Sequence, residues 1–274
     1  MKTSGILLTV LLLFGTGSSY AQKIYLRGGL GISVSTAAGY STNYSISSSS
    51  NSYTTSAKKQ GYGTGLPFVL AAGYHFNEHF GIELGVDYFY GFTIKQTMDN
   101  TSSTYENKSH GQMLSIVPAF VMSLPFDKLT PYARIGLKLG VLNSVNNQSH
   151  SVDNYPSKST ASTDIASKAR NYGGIAIGVQ TAVGTDFKLS NLLSLFGEIQ
   201  VDGISYSPVH GKYTEYSMNG IDQMGSRTTK QNKWDFKKDI TYPNTIPNDQ
   251  PDQVSKANYH FGNVGLVIGV KINL

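Results

Sequence analysis

The sequence contains no cysteine. Disulfide scaffolds, thiolate metal sites, cysteine nucleophiles and lipidation at an N-terminal cysteine are thereby excluded. It is also poor in charge. Charged residues make up 14% of the 274 residues, against roughly 25% in an ordinary soluble protein. Hydrophobic residues reach only 39%, too few for a bundle of membrane helices. Beyond the N-terminal segment no apolar run approaches the roughly 20 residues a membrane helix needs. The formal charge of +5 is not gathered into a basic block, which argues against nucleic-acid binding. What the chain has in quantity is glycine (29), tyrosine (18) and local crowds of serine, threonine and asparagine.

The first segment stands apart. Lys2 precedes an apolar run from Gly5 to Phe14, and Ser19-Tyr20-Ala21 places small residues at both cleavage positions. This pattern predicts a secretory signal peptide over residues 1–21, cleaved before Gln22. Residues 22–274 then form a single domain.

Along that domain, segments of about ten to fifteen residues alternate apolar with small or polar side chains, the period of a strand with two unlike faces. In the last one, Val264, Leu266, Ile268, Val270, Ile272 and Leu274 share one face, while Asn263, Gly265, Val267, Gly269, Lys271 and Asn273 share the other. The alternation recurs around 23–35, 64–76, 80–93, 112–124, 131–142, 172–187 and 193–205, which makes eight strands. In 131–142 the apolar face reads Ala133, Ile135, Leu137, Leu139 and Val141. Asn77-Glu78, 125–130 and 188–191 are short connections; 36–60, 95–110, 145–170 and 207–258 are long and polar. Short and long alternate, as tight turns at one end of a cylinder and loops at the other would.

A soluble barrel hides its apolar face. Here the polar face carries too many glycines and charges for a broad solvent surface, and the apolar face is nearly continuous on all eight strands. Turning the barrel inside out resolves this: apolar residues meet lipid, and small or charged ones fill a narrow interior. Only a closed barrel satisfies every backbone group in hydrocarbon without helices. Phe76, Phe80 and Phe187 near the short turns, and Tyr88, Tyr90 and Phe92 near the long loops, then read as aromatic girdles.

With this pattern the chain resembles the small outer-membrane β-barrel family, which includes the transmembrane domain of outer membrane protein A. The resemblance implies an all-β fold: an eight-stranded antiparallel transmembrane β-barrel with short periplasmic turns and long extracellular loops. Gly269, Ile272 and Leu274 match the glycine and two hydrophobic positions of the terminal signal read by the barrel-assembly machinery in this family. Val267 and Leu274 depart from it, standing where a polar residue and a terminal aromatic are usual. The implied partners are outer-membrane lipids, that machinery and an extracellular ligand or host surface, with the protein a monomer integral to the outer membrane and without cofactor.

Both termini are periplasmic on this resemblance, so strand direction sets the depth of each inward residue. Arg27, Glu83, Arg134, Glu198 and Lys271 fall a few residues from the short-turn end and form one layer at a rise of roughly 3.3 Å per residue. Asp87, Lys138 and Asp202 form a second, deeper layer. The acids and bases balance, as a packed lumen requires. Arg27 and Lys271, on neighbouring closing strands, would draw Glu83 and Glu198 across the lumen. The network is either a static plug or a gate whose ion pairs rearrange; the narrow interior of eight strands favours the plug.

The long connections read as hydrated or disordered loops. Tyr40 to Gln60 includes Ser47 to Ser50, and 207–258 contains Tyr206 at its edge, Tyr213, Tyr216, Trp234 and Tyr242, residue types common among binding anchors. Catalytic patterns are thin. His110 has Ser109 and Ser115 nearby in sequence, and His75 and His79 flank a tight turn rather than sharing a helix face as zinc ligands do. Gly28-Gly29 and Gly173-Gly174 read as strand glycines. The sequence therefore points to a non-enzymatic envelope protein with a structural or surface-interaction role, adhesion or recognition, carried by its loops. A narrow gated channel for ions or small solutes is the alternative, and a lipid-modifying enzyme the third.

Overall fold

The computed structural model describes residues 23–36, 39–46, 53–99, 103–153, 162–240 and 246–274. The expected signal peptide, Ser47 to Ser50 and Tyr242 lie outside the described residues. The strands in chain order are β1 (Lys23–Ser35), β2 (Gly39–Ile46), β3 (Tyr53–Gln60), β4 (Gly65–His75), β5 (Phe80–Gly91), β6 (Ile94–Asp99), β7 (Ser103–Ser123), β8 (Leu129–Asp153) and β9 (Thr163–Tyr172). They continue with β10 (Ala176–Lys188), β11 (Leu193–Tyr206), β12 (His210–Met218), β13 (Ile221–Asp222), β14 (Lys233–Lys237), β15 (Asp252–Ser255), β16 (Tyr259–His260) and β17 (Asn263–Asn273). One helical turn, α1 (Thr229–Asn232), is held by a reciprocal cap between Thr228 and Gln231.

Eight of these strands close a cylinder. Each pairs antiparallel with the next in the order β1, β4, β5, β7, β8, β10, β11, β17, and β17 returns to β1 with Arg27 opposite Lys271. Closure leaves no free edge within the barrel wall. The expected inversion holds. Leu70 is 66% exposed and Ile177 67%, while Glu198 is 2% exposed. In β5 every second residue from Gly81 to Gly91 is buried and the apolar ones between them face out. The girdle residues Phe76, Phe80, Phe187, Tyr88, Tyr90 and Phe92 are all exposed.

The short connections are built as turns. Asn77 Oδ1 accepts from the backbone N–H of His79 and of Phe80, both at 2.8 Å, so the side chain substitutes for a turn's backbone acceptor. Ser190 does the same for Leu192 and Leu193.

Three local expectations fail. First, the alternation in 131–142 does not run through. The β7–β8 register shifts between Leu114 and Ser115, which face Leu142 and Gly140, so Val141 is an inserted bulge residue. Leu142 rather than Val141 takes the outward position, at 68% exposure. Second, Gly173 and Gly174 lie between β9 and β10 with φ of 79° and 82°; they supply a left-handed kink that side-chain-bearing residues rarely adopt.

Third, the long connections are largely strand. β2 and β3 form a hairpin. β6 pairs with the outer part of β7, β8 runs on into pairing with β9, and β9 pairs with β12. The 25 residues of β8 span roughly 80 Å at 3.3 Å per residue, whereas a tilted crossing of the bilayer takes about 9–11 residues. More than half of this strand therefore stands outside the membrane. The polar residues there have no alternating pattern because neither face meets lipid.

Candidate functional site

Four alternate strands of the barrel send one charge each into the lower lumen: Arg27 from β1, Glu83 from β5, Arg134 from β8 and Glu198 from β11. Signs alternate around the ring. Arg27 reaches Glu198 through two parallel bonds, Nη1 to Oε2 at 2.9 Å and Nη2 to Oε1 at 3.2 Å, the fork geometry in which guanidinium is strongest. Arg134 donates to Glu83 at 2.9 Å and to Glu198 at 2.6 Å. Arg27 Nε stands 3.1 Å from Glu83 Oε2, close enough for charge pairing but not aligned as a hydrogen bond. The hydroxyls of Tyr25 and Tyr132 donate to Glu83 and Glu198 at 3.0 and 2.8 Å. Tyr25 fits only because position 73 has no side chain: a Cβ there would fall inside its ring.

Four residues further along three of the same strands come Asp87, Lys138 and Asp202. Lys138 Nζ bridges the two carboxylates at 3.3 and 2.7 Å. On β1 the corresponding position is Gly31, so this layer has two acids for one base. Amides make up the donors: Gln180 to Asp87 at 2.6 Å, Gln200 to Asp202 at 3.1 Å, Asn263 to Asp202 at 3.3 Å.

Lys271 is the correction to the expected ring. It stands opposite Arg27 in the register yet takes no part in the Arg–Glu lattice. It lies over the Tyr25 ring at 4.2 Å and bonds Asp186 Oδ2 at 2.6 Å, which spares two like charges from competing for the same carboxylates. Asp186 was legible by parity, standing two residues beyond inward Gly184 on the lumen face of β10. The lumen charges thus pair five acids with four bases, not four with four.

Above the polar layers the lumen turns apolar. Phe89, Met113, Val145, Ile204, Tyr206 and Phe261 form a buried cluster, with Tyr62 and Tyr259 packed on it. Phe261 stacks on Tyr62 at 5.7 Å and meets Phe89 and Tyr206 edge-on. Tyr206, read from sequence as part of a binding loop, is fully buried and its hydroxyl donates to the carbonyls of Asn143 and Gly173. The aromatic cap was readable by the same parity: Phe89 and Ile204 follow Asp87 and Asp202 by two residues.

The other sequence candidates separate. His110 sits against the Tyr90 ring and Asn146, while the Ser109 hydroxyl bonds Tyr62, so no serine–histidine pair forms there. His79 Nδ1 meets the Ser123 carbonyl. Ile272 and Leu274 face outward at the end of β17, and Gly269 faces inward, where a Cβ would strike the backbone of β1.

Outside the membrane, the sheet of β7, β8, β9 and β12 carries its own ion pairs. Glu106 holds Lys95 at 2.5 Å and Lys108 at 2.6 Å, and Lys168 pairs with Glu215 at 2.8 Å. The two lysine hydrogen bonds draw the Glu106 carboxyl down to about 2.

The comparison with protein families agrees with this architecture. Residues 7–219 match the outer membrane protein beta-barrel domain family. The chain belongs to that family. Among solved structures it is similar to Ail, the attachment invasion locus protein of Yersinia pestis, at 8% identity and a TM-score of 0.31, with 92% of this chain and 97% of that chain covered. No curated protein matches. As a family member the protein is an outer-membrane β-barrel, and its lumen network is the interior packing of that barrel.

Proposed function

We propose that this barrel is a non-enzymatic, monomeric surface-recognition protein. Its lumen is a static plug, and its function lies in the sheet that β7, β8, β9 and β12 raise beyond the membrane. The observation that carries the reading is the length of β7 and β8, 21 and 25 residues. A disordered cap would need no such continuation. A paired sheet presents side chains in fixed positions and loses little further conformational entropy on binding, which favours recognition. The plug follows from two stacked features: charge layers whose acids are each bonded by a lysine, arginine or amide, and an aromatic cap above them. A conducting path requires both to open together.

The test has two arms. In a planar bilayer the refolded mature protein is expected to insert and remain silent. Displayed on cells, it is expected to bind a partner surface, and removing the outer parts of β8, β9 and β12 is expected to abolish that binding. Steady openings that change with Glu83→Gln or Glu198→Gln would replace the plug with a gated channel. Binding unaltered by loss of the outer sheet would move recognition elsewhere.

A further inference from the structure

The chain's single tryptophan lies in the extracellular part, in the lining of a cleft of about 570 Å³ to which Tyr213, Arg227, Lys230, Asp252 and Val254 also contribute, together with Gln231 and Asn248. Several local features build it. Trp234 pairs with Gly211 across β12–β14, and its indole lies where a Cβ of residue 211 would be. A register shift between Tyr213 and Glu215 in β12 lets Tyr213 and Tyr216, three residues apart, share one face. Tyr213 meets Trp234 edge-on at 5.2 Å and Tyr216 at 5.7 Å. On the far side the parallel pairing of β14 with β15 sets Asp252 opposite Trp234.

The cation at this cleft is held in place without being neutralised. The Arg227 guanidinium stacks on Tyr216, its Cζ 3.8 Å from the ring centroid. Its Nε donates to Asn232 Oδ1 at 2.8 Å and one Nη to the Gln231 carbonyl at 2.5 Å. Among the described residues its other Nη has no partner, and no carboxylate pairs with it. Lys230 adds a second positive charge, its Nζ bonded to the Ile246 carbonyl at 3.3 Å. Against these two cations stands one acid, Asp252. A net charge of +1 suits a single carboxylate better than a phosphate, whose second charge Asp252 would repel. Aromatic faces beside amides and one carboxylate form a surface for a ring that is apolar on its faces and hydroxylated at its edge.

We propose that this cleft binds a carboxylated sugar: its ring against Tyr213 and Trp234, its carboxylate on Arg227 and its hydroxyls on Asp252, Gln231 and Asn248. The proposal deepens the surface-recognition reading and rests on it for its biological sense. The ligand chemistry has two sources, a glycan outside the cell and an acidic glycolipid of the protein's own membrane.

Trp234 supplies the readout, because every photon of tryptophan emission reports this cleft. In micelles, sodium D-glucuronate is expected to shift the emission of the refolded full-length mature protein saturably, with a Kd of about 1–10 mM for a lone sugar. D-glucose should bind at least about tenfold more weakly, and sodium acetate should do nothing. Arg227→Gln is expected to bring glucuronate to the level of glucose. Asp252→Asn, which leaves the Arg227 stack untouched, is expected to weaken both sugars together. Equal responses to glucose and glucuronate, or glucuronate binding unchanged in Arg227→Gln, would overturn the acid recognition. A response to acetate as large as to glucuronate would reduce the site to an anion contact, and no response to any sugar would remove it. In vesicles containing lipopolysaccharide, emission already shifted without added sugar assigns the protein's own membrane as source; emission that shifts only on adding a soluble polyuronate assigns an outside glycan. The titration uses no partner surface, so its outcome stands apart from that of the cell-binding assay.

Discussion

Glu198 accepts from both arginines and from Tyr132 while almost entirely buried. Replacing it with Gln leaves Arg27 and Arg134 to share Glu83 alone, two guanidinium groups on one carboxylate. Removing one partner of a buried pair typically costs about 3–5 kcal/mol, so Glu198→Gln should lower the urea midpoint of the barrel substantially at unchanged slope. Asp87→Asn should cost clearly less. Lys138 keeps Asp202 at 2.7 Å, an Asn oxygen still accepts from Gln180, and the layer sheds its surplus negative charge. Equal losses in the two variants would contradict the charge count. Residue positions of this kind were readable from sequence, because parity and strand direction placed Arg27, Glu83, Arg134, Glu198, Asp87, Lys138 and Asp202 in the lumen and in two layers. The partner of Lys271 was not, since parity gives the face and depth of a side chain but not which of two carboxylates it chooses.

Among the elements, the barrel strands were legible and the outer sheet was not, for one physical reason. Lipid on one side imposes alternation, and outside the membrane nothing does. The outer parts of β7, β8, β9 and β12 are rich in serine, threonine, asparagine and tyrosine, which reads as loop. Yet threonine and tyrosine suit strands, and a strand already in register extends its ladder without a new closure cost. The Val141 bulge was hidden as well, because an inserted apolar residue does not disturb an apolar segment. The β6–β7 pair offers a direct check. Glu106, with an ordinary carboxyl value of 4.5, is drawn to about 2 by Lys108 and Lys95. A carboxylate depressed in the folded state stabilises it above the unfolded value and loses that contribution as pH falls from about 4.5 towards 2. Carbon-13 NMR of Glu106 should place its midpoint near 2, and Lys95→Gln with Lys108→Gln should return it towards 4.5. A midpoint near 4.5 in the unaltered protein would deny the pairing.

For the whole molecule, barrel and outer sheet should be separable. β11 ends at Tyr206 and resumes contact with the chain at β16, where Ser205 and Tyr206 face His260 and Tyr259. Deleting 210–255 therefore leaves β11, β16, β17 and the aromatic cap in place. The shortened protein should fold with barrel circular dichroism and stay electrically silent; failure to form a barrel would show that the outer sheet is part of its folding unit. The charge ring also bears on the order of assembly. Glu83, Arg134 and Glu198 lie 51 and 64 residues apart in sequence and can pair across an open, growing sheet. Arg27 can pair with Glu83 in the same way, but its fork to Glu198, 171 residues away, forms only when the first strand meets the last. Until then Glu198 has one guanidinium partner, Arg134, instead of two. Joining the seam and completing the ring are thus one event, and late encounters between distant parts of a chain are slow.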